Sequence, residues 1–227
     1  MVFIATNEEQ KQNKQKVILD LKIIAYFLVI FLAMLATIFA FSALKNHHNV
    51  ASDDFLILPY DGWPTFFNRE QWGAKPALNQ TQLQHPVDLV IVAHTVTTFC
   101  RNFEQCSEII TSMQNYHFNL KMTDIGYNFL IGGDGNIYEG RGWDFVTFQN
   151  NHSISVSFIG NFLADELNLY MIDAFHQLMI DGVKEGKLSK DYKIVCHNQT
   201  KATLSPGENV YKVVKMWPHF RPGILQN

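Results

Sequence analysis

Residues 23–44 read IIAYFLVIFLAMLATIFAFSAL, 22 residues without one charged side chain. Wound as an α-helix at about 1.5 Å per residue, such a run extends about 33 Å and crosses a hydrocarbon core of about 30 Å. It is apolar on every face and bracketed by Lys22 and Lys45, whereas a helix packed on a soluble core keeps a polar face. A cleaved secretion signal is the nearer rival. Its apolar stretch is shorter, about 7–15 residues, and ends at a small-residue site. Here the run is longer, and 22 polar-rich residues precede it. The reading is one uncleaved transmembrane helix. Lys11, Lys14, Lys16 and Lys22 lie before it, and Lys45 alone follows within the next twenty residues. The positive-inside tendency then holds the N-terminus in the cytoplasm. This is a single-pass, type II arrangement in the plasma membrane, with the lipid bilayer as the partner of 23–44. The expected parts are a cytoplasmic tail at 1–22, the helix at 23–44, a stalk at 45–60 and an extracellular domain at 61–227.

Composition narrows the classes of function. An apolar fraction of 47% across 227 residues excludes wholesale disorder. A net charge of −3 argues against a nucleic-acid binder that works by neutralising phosphates. Three cysteines are too few to build a disulfide-stapled miniprotein. Two features suit an external domain. Glycosylation sequons occur at Asn79, Asn151 and Asn198, all after the apolar run. Cys100 and Cys106 enclose five residues, a feasible disulfide loop contributing about 2 kcal/mol. A metal pair is the alternative, but that spacing is not usual for zinc. Cys196 is left unpaired.

Patterning beyond residue 60 alternates strands with long helices. The β-branched run at 87–96 reads as a buried strand and 103–119 as a helix. Residues 127–131, a glycine-rich turn at 132–135 and residues 136–139 read as a hairpin. A strand at 154–159, an amphipathic helix at 167–185, a strand at 192–196 and a final helix at 209–217 follow. The expected fold class is α/β, a central mixed β-sheet flanked by helices.

Several ordered motifs point to one family. They are Arg69-Glu-Gln-Trp-Gly-Ala74, the strand ending Ala93-His94-Thr95, the cysteine pair and Asp124-Ile-Gly-Tyr127-Asn leading to Gly135. Tyr138-Glu-Gly-Arg-Gly-Trp143, Ser205-Pro-Gly207 and Trp217-Pro-His-Phe220 complete the set. Together they resemble the peptidoglycan recognition proteins, and most of all the long, membrane-anchored insect members. The resemblance runs from about Arg69 to Phe220. It implies the fold of N-acetylmuramoyl-L-alanine amidases, with a groove for the muramyl stem peptide.

Catalytic members of that family hold zinc with two histidines and a cysteine, leaving a fourth position for water. The resemblance assigns these ligand positions to Ala93, His197 and Ser205. Alanine has no donor, and a neutral serine hydroxyl is a poor zinc ligand beside a thiolate. His94 and Cys196 are not expected to substitute, because neighbouring strand residues face opposite sides. Neither a metal nor another cofactor is expected. The groove positions carried over are Thr95, Tyr127, Arg141, Trp143, Phe145, His197 and Ser205, an aromatic and arginine lining suited to a glycopeptide with carboxylates.

One departure concerns the groove wall. The family usually has Gly-Ala-His in a longer segment after Gly-Arg-Gly-Trp. Here Trp143 runs through Asp144 and Phe145 to His152, and the strand begins at once. The expectation is a non-catalytic, membrane-anchored recognition protein in innate immune sensing, or in regulation of antibacterial, Imd-type signalling. Its ligand would be peptidoglycan or a muropeptide, bound weakly across the shortened wall, and other peptidoglycan recognition proteins are the expected protein partners. The alternative is a zinc-dependent amidase, disfavoured by Ala93 and Ser205.

Overall fold

The computed structural model describes residues 64–147 and 152–224, with the isolated positions Lys14 and Met34. The chain divides into two units, Met1–Tyr60 and Asp61–Asn227, and the second is described here. The apolar run at 23–44 lies, apart from Met34, outside the described residues. Among those residues no helix is long and apolar enough to cross a membrane.

Six strands form one sheet in the order β1-β4-β3-β5-β2-β6. They are β1 (Phe66–Phe67), β2 (Val87–His94), β3 (Phe129–Ile131), β4 (Ile137–Glu139), β5 (Ser153–Phe158) and β6 (Leu188–Cys196). β3 and β4 are the antiparallel hairpin, and the remaining pairs are parallel. The sheet is therefore mixed, as the patterning implies. β2 lies between β5 and β6 and is covered on both faces, which is why its sequence is almost unbroken Val, Ile and Leu. It stops at His94 rather than at 96. Val96 turns to φ 57°, a left-handed backbone that a β-branched residue rarely adopts.

Three helices cover the sheet: α1 (Phe103–Asn119), α2 (Leu169–Lys184) and α3 (Glu208–Val214). Asparagine caps the two long ones. Asn102 accepts the Gln105 N–H at 3.0 Å, and Asn168 accepts the Met171 N–H at 2.8 Å. Strand alternation sorts two cores onto opposite faces. Val92, Phe129, Ile131, Val156 and Phe158 pack under α2 with Phe175 and Leu178. Leu130 and Tyr138 pack with Trp72, Ile110 and Met113 of the α1 side. The Cys100–Cys106 disulfide is present and buried in this second core, tying the loop after β2 to the first turn of α1.

Besides the end of β2, three elements differ from expectation; α3 ends at Val214 rather than at 217. β6 begins at Leu188, four residues early, because it is an edge strand whose outward residues, Lys190 and Lys193, are exposed. Charged residues there hide the strand pattern and also protect the edge from pairing. The two-residue β1 carries no periodic signal at all.

Candidate functional site

Parallel strands end together, and the edge where β2, β5 and β6 finish is where an open α/β sheet offers a crevice. Register sets its composition. Ala93 is paired with Ser157, and Val92 with Cys196, which places His197 one step beyond. The loop before α3 returns to the same point, where the His94 N–H donates to Ser205 Oγ at 3.2 Å. The three positions 93, 197 and 205 are thus brought together.

The same alternation turns His94 away. Its Nδ1 accepts the Phe162 N–H at 3.1 Å, and its ring lies 6.4 Å from the Phe162 ring in the α2-side core. Cys196 is buried in that core too, and burial pushes its thiol up to about 12. His197 faces the site. Burial, with smaller contributions from Lys201 and His94, lowers its pKa to about 4, and neither ring nitrogen has a hydrogen-bond partner. A neutral imidazole with a free lone pair is the metal-ligating form, but here it stands as a single donor. Ala93 is fully buried and contributes no donor atom, and the Ser205 hydroxyl is engaged with a backbone N–H. Among the described residues no group of three or more His, Cys, Asp or Glu is placed to hold a metal ion. The residues do not fit zinc.

Around this centre the other positions separate. The Thr95 hydroxyl accepts the Gly160 N–H at 3.0 Å and meets Thr97 Oγ1 at 2.7 Å, bracing the loops after β2 and β5. Burial pushes the Tyr127 phenol up, opposed by the neighbouring Ser157 hydroxyl. Its ring packs edge-on against His117, 6.1 Å between centroids. Arg141 is buried, and all three guanidinium nitrogens donate inward. Nε donates to Ile125 O at 2.6 Å, Nη1 to Val146 O at 3.1 Å and Nη2 to Asp124 O at 3.3 Å. Its geometry is that of a pin beneath the wall, with its donors already engaged. Trp143 lies on the α2 face, 4.7 Å from the Phe129 ring. A Cβ on Gly182 of α2 would run into its indole. Its place is in the core rather than beside His197. Phe145 is half-buried and bridges antiparallel to Gln82.

Two contributors lie outside the expected site residues, although the first stands within a quoted motif. Asn128, beside Tyr127, is fully buried and clamps the wall to the sheet. Its Nδ2 donates to Gly142 O at 2.7 Å and to Phe145 O at 2.9 Å, while Oδ1 accepts the Ser155 N–H at 2.8 Å. Ser153, Ser155 and Ser157 form a row on the face of β5 that Ala93 shares; the hydroxyls of Ser153 and Ser155 are buried without a hydrogen-bond partner, and that of Ser157 neighbours the Tyr127 phenol. The period-two serines in SISVSF are the sequence signal for this polar floor. Of the sequons, Asn79 and Asn198 are exposed, the latter directly after His197, and Asn151 lies outside the described residues. A separate shallow hollow of about 450 Å³ lies between α1 and the Trp72 loop, away from the strand ends.

Sheet order, flanking helices and the position of this crevice define an amidase-type domain, and comparison with known proteins agrees. The N-acetylmuramoyl-L-alanine amidase family matches residues 83–208. Drosophila melanogaster peptidoglycan-recognition protein SC1a is 40% identical over 158 residues, which are 67% of this chain and 85% of that protein. Mouse peptidoglycan recognition protein 1 is 37% identical over 159 residues, covering 67% and 87%. A structure of peptidoglycan recognition protein-LE in complex with tracheal cytotoxin, a monomeric diaminopimelic acid-type peptidoglycan, superposes with a TM-score of 0.68. It is 36% identical over 69% of this chain and 96% of that one. A complex of the ectodomains of recognition proteins LCa and LCx with the same ligand gives 0.67 and 39%, over 69% and 98%. The chain belongs to the peptidoglycan recognition protein family.

Proposed function

We propose that this chain is a non-catalytic, membrane-anchored peptidoglycan recognition protein, serving innate immune sensing or the regulation of antibacterial, Imd-type signalling. The observation that carries the non-catalytic reading is the donor set. Ala93 offers nothing, Ser205 is engaged with the His94 N–H, and His197 stands alone with both nitrogens unpartnered. Without metal ligands at 93 and 205, Tyr127 would have no metal-activated water to assist.

Recognition rests on the cleft and the relatives. Proteins with this fold are known in complex with tracheal cytotoxin, one of them as a pair of recognition-protein ectodomains. A muropeptide and a second recognition protein are accordingly the partners proposed here. Anchoring is inferred from the uncharged run at 23–44, and an external position for residues 61–227 from the four lysines before it against Lys45 alone after it.

Calorimetric titration of the full-length chain with diaminopimelate-type and lysine-type muropeptides tests recognition, and saturable heat with either supports it. Release of stem peptide by the purified, zinc-supplied chain would overturn the non-catalytic reading. Extraction of the chain from membranes by alkaline carbonate would overturn anchoring.

A further inference from the structure

We infer, resting on the proposed external placement of residues 61–227, that Asn198 is an N-glycosylation site and that its glycan screens the mouth of the crevice beside His197.

Asn198-Gln199-Thr200 is an acceptor sequence for N-linked glycan. A folded domain tolerates so bulky a group only on a side chain that stands in solvent. In the short turn His197–Gln199 that follows β6, Asn198 is exposed while His197 and Gln199 are buried. The turn is pinned around it. The Gln199 side chain accepts the Cys196 N–H at 2.7 Å and donates to Arg221 O at 2.9 Å and Gly223 O at 2.5 Å. The Thr200 N–H and hydroxyl both donate to His197 O, at 3.0 and 2.8 Å. The Asn198 side chain takes part in none of these bonds, so a glycan on it leaves them intact and starts from a fixed point. Both ends of the segment 197–205 lie at the crevice centre, since Ser205 Oγ meets the His94 N–H there. The residues between, with Asn198, Lys201 and Ala202 all exposed, therefore border the mouth.

Transfer joins Asn198 Nδ2 to the anomeric carbon of a lipid-linked oligosaccharide. The bond from that carbon to the diphosphate oxygen breaks, the lipid diphosphate leaves, and the amide proton passes to a base of the transferase. The step takes place on the entering, unfolded chain, before the Thr200 hydroxyl is committed to His197 O. Once in place, the glycan acts by its bulk. A soluble muropeptide ends within the crevice, whereas a polymeric strand continues past the mouth and meets the glycan. Screening thus favours the small ligand.

The test uses the full-length chain from a eukaryotic host. Peptide N-glycosidase digestion in heavy-oxygen water, followed by peptide mapping, is expected to leave labelled aspartate at position 198. Unlabelled asparagine there overturns the inference. Amine labelling of intact cells separates the causes. A chain labelled at the surface but bare at position 198 faults the site alone, and an unlabelled chain faults the external placement with it. For screening, Asn198→Gln is compared with Thr200→Ser, which keeps the acceptor sequence. Capture on insoluble peptidoglycan is expected to rise about tenfold in Asn198→Gln and to stay at the parent level in Thr200→Ser, with soluble-muropeptide titration unchanged in both. The parent chain stripped by the glycosidase reproduces the rise without any substitution. Equal capture before and after stripping, with normal muropeptide heat, overturns screening alone. Absent capture and absent heat in every form overturn screening and fault recognition as well.

Discussion

His197 is a buried, neutral, unpartnered imidazole just beyond β6, beside an alanine and a serine where zinc would need two further donors. Restoring donors at 93 and 205 is expected to restore the metal. The double variant Ala93→His, Ser205→Cys is predicted to carry about one zinc per chain by elemental analysis, with the parent chain carrying none. Asn128→Ala removes three hydrogen bonds and orphans two carbonyls and an N–H beneath the wall. A loss of about 2–4 kcal/mol is expected in urea unfolding. Motifs located the residues gathered at 93, 127, 197 and 205, and strand alternation correctly turned His94 and Cys196 aside. What a motif could not supply was direction. Arg141 and Trp143 sit in the same Gly-Arg-Gly-Trp string as the wall, yet one points beneath it and the other crosses to α2. Side-chain direction there depends on the turn at Gly140 and Gly142, and that turn has no period to read.

Elements with strong periodicity were legible. β2, α1, the hairpin and α2 fall within two residues of their sequence-predicted limits because each buries a continuous stripe. β1 and the start of β6 were not, since a two-residue strand has no period and an edge strand mixes lysine into its pattern. The packing of α2 on the sheet depends on Gly182 making room for the Trp143 indole. Gly182→Ala adds one methyl where none fits, and a loss of about 1–3 kcal/mol is expected from the denaturation midpoint, with the slope unchanged. The disulfide does its work at the same scale, closing a loop with a sequence separation of 6 between β2 and α1. Cys106→Ser is expected to cost about 2 kcal/mol.

For the molecule as a whole, buried histidines set the response to acid. The folded pKa of His197, about 4, lies below the roughly 6.5 of an unfolded imidazole, so the unfolded chain binds more protons in between. Stability is therefore full above about pH 6.5 and falls as the pH drops towards about 4, by roughly 3 kcal/mol from this group. Burial lowers the pKa of His94 and His176 in the same direction. Urea unfolding at pH 7 and pH 4.5 checks this, and His197→Gln is expected to flatten the difference. The sulfur atoms carry a last consequence. The two that meet are near neighbours in sequence, and the third is sealed against the opposite face of the sheet with a thiol that hardly ionises at neutral pH. Once folded, the domain exposes no free thiol, so an oxidant offers its cysteines neither a wrong pairing nor a disulfide to a neighbour.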